Sequence, residues 1–177
     1  MTVNEILKDI DRWRKNNKLS VFVGAGVSML SGLPSWGDVI KSMLKEMSDL
    51  KYEENKLSSD DYLRIAQIYF NTFGEEKYKE KVKGSFKEDC TPNKIHDLIF
   101  ALHPNHILTT NYDNLLEQET VKVGRNFSVI DADNAVSSAP SSSYILKVHG
   151  DFSSSNFVFK EQDYLDYEQN YKLIDKL

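Results

Sequence analysis

The chain has 177 residues, enough for one domain with a sizeable core, and 40% of them are hydrophobic. Its formal net charge of −5 gives the surface no general pull towards nucleic acid or anionic lipid, and no apolar run reaches the length of a membrane span. Cys90 is the only cysteine, which excludes an internal disulfide and a cysteine-based zinc site. With no signal-like core at the N-terminus, these features make a cytoplasmic setting the expectation.

Thr2 and Glu5 have capping-box spacing, and Ile6, Leu7, Ile10 and Trp13 share one helical face. The spacing predicts a helix over about 3–16, packed on a sheet. An apolar run, Leu19 to Val23, then ends abruptly in Gly24-Ala25-Gly26, as a buried parallel strand does. Glycines there admit a bound group close to backbone N–H groups, and a helix start beside them favours phosphate. A plain tight turn is the other reading of the same residues.

Gly32 and Pro34 predict a loop or broken helix after the glycine turn. Trp36, Val39, Ile40, Met43, Leu44 and Met47 then recur at three-four spacing, predicting a helix with a buried stripe. Two more helices are expected at about 60–73 and 75–88. The second is dense in interleaved Lys and Glu and reads as a solvated face. Thr91-Pro92 reads as an N-cap before a helix whose stripe is Ile95, Leu98, Ile99 and Leu102.

A short strand is expected at Asn105 to Asn111, leading straight into a helix from Tyr112 to Glu119. Strands follow at Phe127 to Ile130 and Tyr144 to Val148, separated by a serine-rich stretch, Asp131 to Ser143, read as a mobile loop. A short fifth strand is expected at Asn156 to Phe159, and a helical stretch from Glu161 to Leu177. Strands alternating with helices predict a Rossmann-like open parallel sheet with helices on both faces. The long helical stretch, about 36–103, reads as an insertion after the first strand of a single domain spanning 1–177.

The usual dinucleotide fingerprint is broken. Met29 stands where its third glycine belongs, and several helices separate the first strand from the second. Yet three strands end in polar groups, and open parallel sheets bind ligands at such ends. The endings are Gly24-Ala25-Gly26 with Ser28, then Thr109-Thr110-Asn111-Tyr112-Asp113, then His149-Gly150-Asp151. From the residues alone, Asn111 and Asp113 either meet a ligand or cap the next helix. His149 is either a ligand contact or a turn histidine. His96, His103 and His106 read as a helix-face, a helix-end and a strand-edge residue.

Together these endings, with Gly32-Leu33-Pro34, resemble the sirtuin family in order and in the large helical gap, over about residues 19–150. The resemblance implies that NAD binds and that its nicotinamide–ribose bond is cleaved. The chain lacks the four-cysteine zinc module of the deacylase branch. It has Ser35-Trp36-Gly37 after the proline and Thr110 before Asn111, where that branch has Asp-Phe-Arg and Gln. In these respects it looks like the bacterial sirtuin-like domains that hydrolyse NAD, often in anti-phage defence. On that resemblance, Asn111 orients the ribose and attacking water, and His149 is the general base or binds ribose hydroxyls near neutral pH. Asp113 meets the nicotinamide amide or its positive charge. Gly24, Ala25, Gly26, Ser28 and Thr110 hold the remaining substrate, the glycine turn taking the pyrophosphate. No metal is expected. The resemblance further implies a homo-oligomer or a sensor domain or partner protein, and strands beyond Leu177 that read the adenosine end. An NAD-dependent deacylase and a non-catalytic nucleotide-binding or assembly module are the rival readings.

Overall fold

Among the described residues, four short strands form one all-parallel sheet in the order β1-β2-β4-β3. They are β1 (Ser20–Val23), β2 (His106–Thr109), β3 (Ser128–Ile130) and β4 (Tyr144–Lys147). The structure is a computed structural model that describes residues 2–53, 56–86, 89–137, 139, 142–152 and 157–176. Register places Val23 beside Thr109 and Thr109 beside Lys147, so β1, β2 and β4 end level with one another. Side chains alternate between two cores. Val23, Ile107 and Ile145 pack with Ile99, Phe100 and Leu116 on one face. Leu146 and Ile130 pack with Val158, Tyr171 and Ile174 on the other.

Helix α1 (Val3–Lys15) forms behind the expected capping box, with Thr2 Oγ1 accepting from Glu5 N and Glu5 accepting from Thr2 N. Its expected packing on the sheet does not occur. No residue of α1 is buried, and Leu7 is 57% exposed. An apolar stripe establishes that a helix has a sticky face, not which surface covers it. β1 is also not the fully buried strand expected. It lies at the sheet edge, where Phe22 is 65% exposed.

α2 (Ala25–Met29) starts directly after Gly24, and α3 (Trp36–Glu46) starts behind a Ser35–Asp38 capping box. α4 (Ser59–Ser85) is broken at Gly74, whose φ of 83° only glycine adopts readily, so two helices meet end to end near the expected positions. Lys87 and Glu88, at the expected end of the second, lie outside the described residues. The predicted stripe of α3 packs on Ile65, Ala66 and Tyr69 of α4, and Tyr69 donates to Glu46 at 2.7 Å. Phe157 and Phe159, from the segment after β4, complete this core, and Tyr112, from the turn after β2, packs against it. The α3–α4 layer therefore stands beyond the carboxyl ends of the strands.

α5 (Lys94–Ala101) belongs to the sheet instead. Its N-cap is Asn93, not Thr91, because the Asn93 side chain accepts from Ile95 N at 2.9 Å. That register turns His96, Ile99 and Phe100 inward and leaves Leu98 and Leu102 exposed, against the expected stripe. α6 (Leu115–Lys122) begins three residues later than predicted. The stretch read as a loop contains α7 (Asp133–Val136), and Asp133 accepts from Leu173 N and Ile174 N near the C-terminus. Pro140 lies outside the described residues. So does Asn156, where the fifth strand was expected. Phe157 forms only an isolated bridge to Gly150. The helical C-terminal stretch is three short turns, α8 (Glu161–Leu165), α9 (Tyr167–Asn170) and a 3-10 turn at Ile174–Lys176. Among the described residues, no helix is long and apolar enough to cross a membrane.

Candidate functional site

The level ends of β1, β2 and β4 open into a cavity of about 180 Å³. Ala25, Ser28, Thr110, Asn111, Asp113 and His149 all line it, so residues from all three polar endings meet there. Gly24 and Gly26 flank Ala25 without entering the lining. Neither has a positive φ, and a Cβ built on either meets no atom within 4 Å. Protein packing and backbone strain thus leave these glycines unexplained, and the space over them is open to a ligand.

Asn111 is held from two sides. Thr109 closes β2 with a buried hydroxyl that donates to Val23 O at 2.9 Å and accepts from Asn111 N at 3.0 Å. The Asn111 side-chain amide donates to Ser28 Oγ at 2.9 Å and to Gly24 O at 3.3 Å. Its Oδ1 is buried and has no partner among the described residues. A buried amide oxygen left unsatisfied costs stability, so an acceptor fixed in this way is a place prepared for a donor. Asn111 does not cap α6. The N-cap position is Asn114, without a side-chain cap bond, and the first N–H of the helix is bound instead by Asp113, whose Oδ1 accepts from Leu115 N at 3.1 Å.

His149 lies across the cavity. Gly150, with φ of 75°, turns the chain directly after it, and Val158 N binds His149 O at 2.9 Å. The ring meets Tyr164 edge-on with centroids 5.5 Å apart. Burial disfavours its charged form and pulls its pKa down to about 4, so the imidazole is neutral at pH 7. The other histidines stand outside the cavity. Nδ1 of buried His96 accepts from Asn93 N, and the His106 ring stacks on Tyr144. No group of three or more His, Cys, Asp or Glu able to hold a metal occurs among the described residues.

Four aromatic lining residues were not assigned to the site from the sequence. Trp36, Phe86, Tyr112 and Tyr164 give the cavity aromatic walls. The Trp36 indole N–H is buried without a partner among the described residues, a donor that complements the orphan Asn111 acceptor. The Leu33-Pro34-Ser35-Trp36 segment was the available signal. Lys147 was missed as well. It is fully buried, and its ammonium donates to Asp113 O at 2.8 Å and Glu117 Oε1 at 2.7 Å, and to Asp151. A lysine inside an otherwise apolar strand is the mark it left in the sequence. Among the described residues, Asp113 is the only charged one in the cavity lining. An aromatic box with one carboxylate suits a planar, cationic ring, and a cavity of about 150 Å³ is known to hold a benzene-sized one.

Comparison with known proteins agrees with this arrangement. Residues 105–177 match the family model described as a SIR2-like domain. Defense-associated sirtuin 2 of Bacillus subtilis is 46% identical over 179 residues, covering 99% of this chain. The NAD(+) hydrolase ThsA of Cytobacillus dafuensis is 28% identical over 95% of the chain, and that of Enterococcus faecium 25% over 93%. The chain spans 18% of the first relative and 34% of each of the other two. The match, the relatives and the convergence of the three strand endings place this chain among the SIR2-like domains.

Proposed function

We propose that this domain hydrolyses the nicotinamide–ribose bond of NAD, depleting the dinucleotide in defence against phage. The observation that carries the reading is Asn111: it lines the cavity, its amide N–H is tied to Ser28 and Gly24, and its buried oxygen has no partner among the described residues. The names of the relatives support the same chemistry. The cationic nicotinamide ring sits among the aromatic walls near Asp113, and the pyrophosphate runs over the open glycine turn. Cleavage breaks the C–N bond, and its electron pair leaves with nicotinamide and neutralises the ring. Water forms the new C–O bond to the ribose, and its proton passes to neutral His149. Asn111 Oδ1 accepts from that water or a ribose hydroxyl, holding the reacting geometry. We further infer that the domain works within a longer protein or an assembly of copies, and that 1–177 binds NAD as one unit.

Incubating the protein with NAD and following nicotinamide and ADP-ribose tests the reading. Equimolar release of both supports it. Intact NAD after long incubation rejects it, and consumption that depends on an acylated peptide points to the deacylase.

The glycine turn gives an independent check with effects of opposite sign. Gly26→Ala should stabilise the fold by about 0.5–1 kcal/mol, since alanine suits a helix better and nothing blocks its Cβ. The same methyl should raise KM for NAD severalfold by crowding the pyrophosphate. A melting temperature that rises with KM unchanged would remove the phosphate from this turn.

A further inference from the structure

We propose that Lys147 is a positioning residue: its buried ammonium clamps the Asn111–Asp113 turn to the His149–Asp151 turn. In doing so it sets the spacing of the two groups that act on NAD, and in this it rests on the function proposed above. β2 and β4 are paired through Thr109 and Lys147, and Val148 N still reaches Thr109 O at 3.0 Å. Beyond that point the two chains part to form the cavity. The Lys147 side chain spans the gap. On the β2 side it donates to Asp113 O at 2.8 Å, with Tyr112 O at the longer 3.4 Å. On the β4 side it pairs with Asp151, and beneath both it meets Glu117 of α6 at 2.7 Å. Three ammonium protons thus serve the turn carrying Asn111, the turn carrying His149 and the helix behind them.

An apolar residue fits this strand at least as well for stability alone, because desolvation offsets most of what a buried ion pair gains. What an apolar residue lacks is a fixed grip on two separate turns. The charge is permanent at neutral pH. Burial disfavours it, but Glu117 and Asp151 outweigh burial and hold the pKa above the ordinary lysine value.

The decisive variant is Asp151→Ala in the full chain. It releases one turn but leaves Lys147 paired with Glu117, so no buried charge is stranded. The clamp predicts a fall in kcat of about tenfold to a hundredfold, the scale of a misplacement near 1 Å, with KM for NAD within threefold. It also predicts faster hydrogen exchange at residues 111–113, reached through Lys147, and unchanged exchange in β1. Lys147→Met should act in the same direction and more strongly where it folds, and Lys147→Arg should recover part of the loss. Exchange that changes only at residues 149–151, with wild-type kcat, would overturn the clamp. Wild-type protein that cleaves no NAD would instead refute the function, and exchange at residues 111–113 would still decide the clamp.

Discussion

Asn111→Ala is expected to slow NAD cleavage by about a hundredfold to a thousandfold, the usual cost of removing one preorganised polar group from a transition state. Thr109 holds its backbone and Ser28 and Gly24 hold its side-chain amide, so the group is fixed in place before substrate arrives. Stability should change little. The substitution removes two amide hydrogen bonds, but it also removes a buried acceptor that nothing among the described residues satisfies. A helix-capping asparagine makes the opposite forecast, a loss of about 1 kcal/mol with chemistry intact. In the structure that forecast applies to Asp113, which binds Leu115 N. Nicotinamide release and thermal unfolding, measured on the same samples, separate the two. An Asn111→Ala protein that cleaves at the wild-type rate would end the catalytic assignment. Asn111→Asp should be similarly slow, because a carboxylate cannot donate to the Gly24 carbonyl.

These residues were visible in the sequence for a physical reason. A parallel strand is a short apolar run, and polar residues at its carboxyl end are out of place in a core, so three such endings mark a crevice by themselves. The stripe of α3 was equally legible, because five of its six predicted positions are buried by a partner nearby in sequence, α4. What was not legible depends on distance. The face of α1 carries the same periodicity as a buried one, and only the folded arrangement shows that none of its residues is buried. The four residues of α7 lack a helical signature, and their anchor is a carboxylate that reaches Leu173, 40 residues away. Asn93 displaced Thr91 as the cap of α5 because its amide also binds Val27 O and Ser31 Oγ at the α2 end of the chain, a tertiary contact that local spacing cannot show. Lys147 is the same case inside the site. Its partners Asp113 and Glu117 lie 34 and 30 residues earlier, so its role is invisible until β2 and β4 are set side by side.

His149→Ala should lower cleavage by about a hundredfold to ten-thousandfold, the range for loss of a positioned general base. The sharper expectation concerns pH. At its ordinary pKa this histidine would switch near neutrality, and nothing in its sequence neighbours argues otherwise. Burial moves it to about 4, so the base is already neutral across the physiological range. The kcat/KM profile of the wild type should therefore be flat from about pH 5 upward and fall in acid with a midpoint near 4, since kcat/KM reports the free enzyme. Stability follows the same group with a defined sign. Between pH 6.5 and 4 the unfolded chain takes up a proton that the folded chain refuses. Stability is thus fully present above 6.5 and declines through that window, and the contribution of His149 levels off below 4. His96 and His106, also pulled down by burial, act in the same direction. His149→Gln should accordingly flatten the acid slope of the melting temperature without abolishing it, and its residual activity should lose the limb near pH 4. A wild-type kcat/KM midpoint near 6.5, the ordinary histidine value, would show that the imidazole is solvated rather than held in the aromatic cavity, and would remove it as a base that is neutral before substrate arrives.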